Sequence, residues 1–471
     1  MILKTQNKFR LSVRSLAAVI LLGLCLVSVS CNDDDNSNSV PTQNIVVLAQ
    51  GSADLSSFVS ALTRFPDLVS TLSGTGTFTV FAPSNQAFAN LLTAIGQTSL
   101  NDVPDDVLKK ILQYHVVSSG ALKSTQLVAG NVKTVANEDI AISLTGGVKL
   151  NTSVNVTTAD VAASNGVIHI VDAVLVNPSI LPIVGTIVAP AYFNKSFTTL
   201  IAAVTAASPS ILTTLLSSSK KTLFAPTNEA FIAAGITTLP NQATLDAVLT
   251  YHVINSEVRA ANLPANTAPV NSEITTVGGK FYLSNRGATG VFINGRTKVT
   301  QTDIIGSNGV VHVIDRTLMP PSQTIAQIAT ALSTVTPPQF TKLLQALSRT
   351  EASALLAVAG DATANITLFA PTDAAFVASG IDLATVNGNT LISVLQKHII
   401  SSPTTASGRV FSSDLVTGNV ATLNGNMAIS ATALTVTSGG VVANILATTP
   451  SLINVLGTNG VIHTIDKVLL P

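Results

Sequence analysis

Two sequence blocks, each present three times in the same order, constrain this chain more than any other feature. The first reads Thr79-Val80-Phe81-Ala82-Pro83-Ser84-Asn85-Gln86-Ala87-Phe88. It returns as Thr222-Leu223-Phe224-Ala225-Pro226-Thr227-Asn228-Glu229-Ala230-Phe231, and again as Thr367-Leu368-Phe369-Ala370-Pro371-Thr372-Asp373-Ala374-Ala375-Phe376. The copies are 143 and then 145 residues apart. A period that long is the size of a domain, so the chain reads as an array of whole domains and not a solenoid. Its 471 residues fit three such units, since a single core stops growing well below that length.

The second block is Asn165-Gly166-Val167-Ile168-His169-Ile170-Val171-Asp172. It matches Asn308-Gly309-Val310-Val311-His312-Val313-Ile314-Asp315 and Asn459-Gly460-Val461-Ile462-His463-Thr464-Ile465-Asp466. A short apolar tail and a proline (Pro178, Pro320 or Pro471) close each copy.

Periodicity predicts the elements between the blocks. Each repeat opens on an amphipathic helical pattern: Phe58, Leu62, Phe65 and Leu68-Val69, then Phe197, Leu200-Ile201 and Val204, then Phe340, Leu343-Leu344 and Leu347. The first block reads as strand, turn and helix start, because proline halts the strand and the following Ser/Thr or Asn/Asp is a good N-cap. Residues 140–156 and 281–299 alternate or are rich in Val, Ile and Thr, with Gly and Asn as punctuation, and read as hairpins. Helices ahead of strands make each unit α+β. The linkers, 177–182 and Pro320-Pro321, are short and proline-bearing, which predicts a stiff string of domains.

In order and spacing the two blocks closely resemble the fasciclin domain family. The family often carries a tyrosine–histidine pair between them, present here as Tyr114-His115 and Tyr251-His252; the third copy departs, with Lys397-His398. The resemblance implies three tandem domains, at 44–178, 183–320 and 323–471, each a twisted β-sandwich with helices packed beside it. In animal relatives the tyrosine–histidine pair is implicated in integrin binding. That makes Tyr114, His115, Tyr251 and His252 the candidate partner-binding residues, and the carry-over stops short of Lys397.

All six histidines fall at two equivalent places per repeat. Leu108, Ile111, Leu112 and His115 have i, i+3, i+4, i+7 spacing, as do Leu245, Val248, Leu249 and His252, and Leu391, Val394, Leu395 and His398. The histidine therefore lies on the apolar stripe of its helix, inward and neutral. The residue before it sits about 100° round the helix. A lysine there in the third copy predicts a position near water, so tyrosine is expected to be the surface contact. In the second block, His169 and Asp172 project from opposite faces of a strand that is apolar on both, as do His312 with Asp315 and His463 with Asp466. They do not converge on a metal, and no metal or cofactor is expected.

Four basic residues, Lys4, Lys8, Arg10 and Arg14, precede an apolar run at 16–29 that ends at Cys31, followed by Asn32-Asp33-Asp34-Asp35. Residues 1–30 read as a signal peptide; small residues followed by cysteine at its end resemble a bacterial lipoprotein signal, which implies a lipidated Cys31 with 31–43 as an acidic tether. Ser28 stands three residues before Cys31, where leucine is usual. Cys25 is the alternative, but Leu24 is a poor cleavage residue. These two are the only cysteines, so the folded part has neither disulfide nor thiolate nucleophile. Removing residues 1–30 takes four of the 24 basic residues and none of the 24 acidic ones. The exported chain is then slightly acidic with no basic stripe, which argues against nucleic acid as a partner.

No Gly-x-Ser-x-Gly, phosphate-cradling glycine loop or His-Glu-x-x-His is present, and no catalytic residue is assigned. The expectation is a non-enzymatic adhesion or recognition protein, an outer-membrane lipoprotein at the cell surface. It would bind extracellular protein or polysaccharide through repeated weak sites, which raises avidity when the partner is also repetitive. A hydrolase acting on glycans or lipids, a structural spacer and a carrier of small apolar ligands stay open as alternatives, as does self-association.

Overall fold

The computed structural model describes residues 40–400, 408–447 and 452–471. The signal region, Cys31 and the tether as far as residue 39 lie outside them. Residues 42–471 pack as one compact unit.

The opening helical pattern of the first repeat spans two helices, whereas those of the second and third each lie on one helix that a second follows. Ser56–Leu62 is followed by Pro66–Ser73, Thr198–Ala206 by Pro209–Leu216, and Thr341–Leu347 by Ser353–Gly360. In the first two repeats a proline starts the second helix, where its missing N–H costs nothing. The expected apolar stripe is nonetheless buried across both helices, as at Phe58, Leu62, Phe65 and Leu68.

The two repeated blocks form the centre of each domain, because they are hydrogen-bonded to each other. Strand Phe78–Pro83 runs parallel to Gly166–Val171, with Phe81 opposite His169. Lys221–Pro226 pairs in the same way with Gly309–Ile314, and Ile366–Pro371 with Gly460–Ile465. Both strands of each pair are almost wholly buried, which suits their unbroken apolar runs.

The Asn-Gly that opens the second block is fixed by this closeness. A Cβ on Gly166 would lie 2.2 Å from the Phe78 carbonyl oxygen; the equivalent distances are 2.0 Å at Gly309 and 2.2 Å at Gly460. The buried Asn165 carboxamide accepts from the Ile45 N–H at 3.0 Å and donates to the Leu72 and Gly74 carbonyls at 2.8 and 2.9 Å. Asn308 and Asn459 make the same three bonds in their own domains. One side chain thus ties two helix ends to the central strand pair. In the first block Ser84, Thr227 and Thr372 cap the helices that follow.

From this centre the sheet turns over on itself. In the first two domains it has seven strands, and the long strands Val154–Ala163 and Thr297–Gly306 slip register twice, letting one strand serve both halves. Among the described residues of the third domain the equivalent stretch holds two strands, Val441–Asn444 and Val455–Gly457, and the strands fall into two four-stranded sheets. Phe369, Met427, Val436 and Ile465 fill the space between them.

The first two domains do not form the string implied by their short linker. One buried apolar cluster runs from Ile45, Phe58, Phe88 and Ile111 of the first domain to Ile187, Phe193, Leu200 and Val311 of the second. The third domain has a helix-side core of its own, around Ile325, Phe340, Phe376 and Leu395.

Candidate functional site

His115, His252 and His398 sit at the C-caps of helices Asp105–Tyr114, Gln242–Tyr251 and Gly388–Lys397. Each Nδ1 donates to the carbonyl four residues back (Ile111, Val248 or Val394) at 2.7–2.8 Å. Each Nε2 accepts the N–H of Leu175, Leu318 or Leu469 at 2.8–2.9 Å. The ring staples the helix end to the tail that follows the last strand. Burial disfavours the charged form and pushes all three imidazoles down to about 4, so they are neutral at pH 7.

The second-block histidines have the opposite tautomer. Nε2 of His169, His312 and His463 donates to the Leu122, Val258 and Val410 carbonyls at 2.7–2.9 Å. Nδ1 of His169 and His312 accepts the N–H of Asp160 and Asp303 at 3.3 Å, whereas Nδ1 of His463 has no partner among the described residues. Each ring lies over the phenylalanine of the paired strand, with centroids 5.3–5.5 Å apart. Burial pushes His463 down to about 4 and lowers His312 as well. Among the described residues no three His, Cys, Asp or Glu side chains are grouped to hold a metal.

The expectation that the tyrosine position faces water is corrected. Tyr114 and Tyr251 have no exposed surface, and Lys397 is 6% exposed. The Tyr114 hydroxyl donates to the Asp139 carbonyl at 2.8 Å, and that of Tyr251 to the Lys280 carbonyl at 2.7 Å. The Lys397 ammonium reaches the matching strand in the third domain, donating to the Asn424 and Asn426 carbonyls at 2.6 and 3.1 Å. Lysine is tolerated here because it supplies a donor of similar reach, not because water is near. The candidate residues Tyr114, His115, Tyr251 and His252 are therefore all core positions in this conformation.

Sequence reasoning missed the junction of the second and third domains. Asp414, with no exposed surface, accepts across it from Asn271 at 2.7 Å, Ser284 at 2.5 Å and Arg286 at 2.7 Å. Within its own domain it accepts from the Ser413 hydroxyl and the Phe411 N–H. The Arg409 guanidinium, held by the Gly457 and Thr458 carbonyls, lies 4.6 Å over the Tyr282 ring. A clue was available in the repeats: Gln126 and Asn262 stand where the third repeat has Asp414, and Ala121 and Glu257 where it has Arg409.

Among the described residues no single helix is long and apolar enough to cross a membrane; only one bent helix pair passes, by length and composition.

Comparison with known proteins agrees with the repeat structure. The chain is 38% identical to Protein sll1483 of Synechocystis over 165 residues, covering 33% of this chain and 90% of that protein. It is 26% identical to human periostin over 468 residues, 95% of this chain and 51% of periostin. It is 31% identical to rabbit transforming growth factor-beta-induced protein ig-h3 over 271 residues, 55% of this chain and 37% of that one. The chain thus spans about half or less of these two animal relatives. A solved FAS1 domain pair from the insect cell adhesion molecule Fasciclin I aligns with 59% of this chain and 97% of its own, at 20% identity and a TM-score of 0.27. The model of the fasciclin domain matches residues 53–177, 195–320 and 338–471. Those three matches take in most of the chain, which belongs to the fasciclin domain family.

Proposed function

We propose that this chain is an adhesion or recognition protein, held to the outer membrane by lipid on Cys31 behind a cleaved 1–30 signal, with 31–43 as a hydrated tether. Three domains then present weak sites to an extracellular protein or polysaccharide. The observation that carries the reading is that one fold is copied three times while its histidines are consumed in holding it. Five of the six have both ring nitrogens occupied by backbone groups, which leaves no free lone pair for acid–base work there. What repeats on the outside is different: Ile232 and Val377 follow the block phenylalanine in the second and third domains and are 66% and 69% exposed. Copies of a weak contact gain affinity through linkage, by roughly 10²–10⁴ when the partner is also repetitive.

The test is binding of residues 41–471 to matrix-protein and glycan arrays, once as a soluble monomer and once clustered on vesicles. Clustered protein should bind at least tenfold more tightly, and Ile232→Asp with Val377→Asp should weaken it. Equal binding by both forms would remove the avidity reading.

A further inference from the structure

We propose that the cleft between the second and third domains binds a small organic oxyanion, a carboxylate, sulfate or phosphate on an apolar body, through Arg296 and Arg316. The cleft has a volume of about 440 Å³, within the range of small-molecule sites. Both arginines line it, and both also line the adjoining hollow beside Asn454. Neither guanidinium has a carboxylate within 4 Å or a hydrogen-bond acceptor among the described residues, although every other arginine in the described chain has at least one. Asp315 also lines the hollow, and its Oδ1 accepts from the Lys298 N–H at 2.7 Å.

Two half-buried guanidiniums facing one cleft are a costly arrangement without a counter-charge. Burial and the charge of Arg316 together push Arg296 below the ordinary arginine range. An oxyanion bridging them would remove that cost, and a guanidinium's planar donors match its oxygens. The arginine pair is not copied in the other repeats, although the third keeps a cation, Lys467, at the Arg316 position. The first repeat has Ser153 and Ala173 at the equivalent positions. Beside polar groups such as Asn294, Thr317 and Gln323 the cleft has an apolar side, including Pro320, Ile328, Leu332 and Leu456, and it offers no aromatic face. It suits a short hydrocarbon better than a stacked sugar ring.

The test is titration of residues 41–471 with hexyl phosphate at low salt, beside inorganic phosphate. Saturable one-to-one binding is expected, at least tenfold tighter for hexyl phosphate. Arg296→Gln and Arg316→Gln should each weaken it at least tenfold, and Arg259→Gln, at a surface ion pair with Glu257, should not. Without ligand, both cleft variants should melt at the same temperature as the parent or higher, since like-charge repulsion is relieved. Absence of saturable binding, binding retained in both variants, or equal affinity for the two phosphates would overturn the proposal. So would a lower melting temperature in both unliganded variants, which would make the arginines structural.

Discussion

The joint between the first and second domains and the joint between the second and third are built from opposite chemistry. At the first, the helix-side cores merge, and polar contacts such as Gln97 to the Pro190 carbonyl and Lys195 near Asp105 sit at the rim. At the second, the contact centres on a buried carboxylate and its donors, with only a small apolar group of Tyr282, Phe411 and Val461 beside it. Merged cores resist separation without directional demands. A buried polar cluster holds one geometry and fails when one member is lost.

The repeats show what the second joint asks of the sequence. In the first domain Asn151 and Thr152 both take positive φ, and Thr152 has φ +67°. In the second domain the equivalent residue is Gly295, at φ +69°. Threonine therefore can adopt this backbone. Glycine is needed because a Cβ there would lie 2.3 Å from Phe411 Cβ of the third domain. The turn alone does not demand glycine; the neighbouring domain does.

The largest expected effect breaks that polar joint. Asp414→Ala removes a buried acceptor shared by Arg286, Asn271 and Ser284, and loss of one partner of a buried pair costs about 3–5 kcal/mol. Chemical denaturation should become biphasic, with the third domain unfolding first. A single unshifted transition would show that the carboxylate does not hold the joint.

Acid should sharpen the same contrast. The imidazoles of His115, His252, His398 and His463 lie at about 4 in the folded chain, below the ordinary 6.5. The unfolded chain therefore binds more protons between these values, and stability falls as pH drops from about 6.5 toward 4. Each ring contributes up to roughly 3 kcal/mol of that loss. Two of the four lie in the third domain and one in each of the others; His312 of the second domain is lowered too, but that domain shares a merged core with the first, whereas the third stands on its polar joint. Melting curves between pH 7 and 4.5 should show the third domain failing first; parallel loss in all three would contradict this.

Smaller effects follow inside the third domain and at the first joint. Lys397→Met strips the donor from two carbonyls and should cost about 1–3 kcal/mol. Leu434 holds φ +50°, a left-handed backbone that asparagine adopts more readily than leucine. Leu434→Asn should stabilise by about 1 kcal/mol. At the apolar joint, Lys195→Ala removes a rim contact and should change stability by less than about 1 kcal/mol. Equilibrium denaturation measures all three.

Much of this was legible in the sequence. The repeats, the caps at Ser84, Thr227 and Thr372, and the inward histidines of the helix stripes follow from period and residue type. The pairing of the two blocks was not, because residues 78–83 and 166–171 are far apart in the chain and local pattern carries no register between them. The buried tyrosines were misjudged because lysine reads as a surface residue, whereas Lys397 is paid for by two carbonyls that only the folded strand supplies. The merged core and Asp414 were hidden for a related reason: complementarity between domains appears in one repeat as a departure from the others, and its meaning needs the partner surface.

Gly295→Thr tests the difference between the joints most directly, because the first domain shows that the turn accepts threonine. Native-state hydrogen exchange against denaturant is the measurement. Strands Ile366–Pro371 and Gly460–Ile465 should lose protection at lower denaturant than in the parent, while Phe78–Pro83 and Lys221–Pro226 keep theirs and open together. Unchanged protection in the third domain, or separate opening of the first and second, would contradict a merged pair carrying a docked third domain.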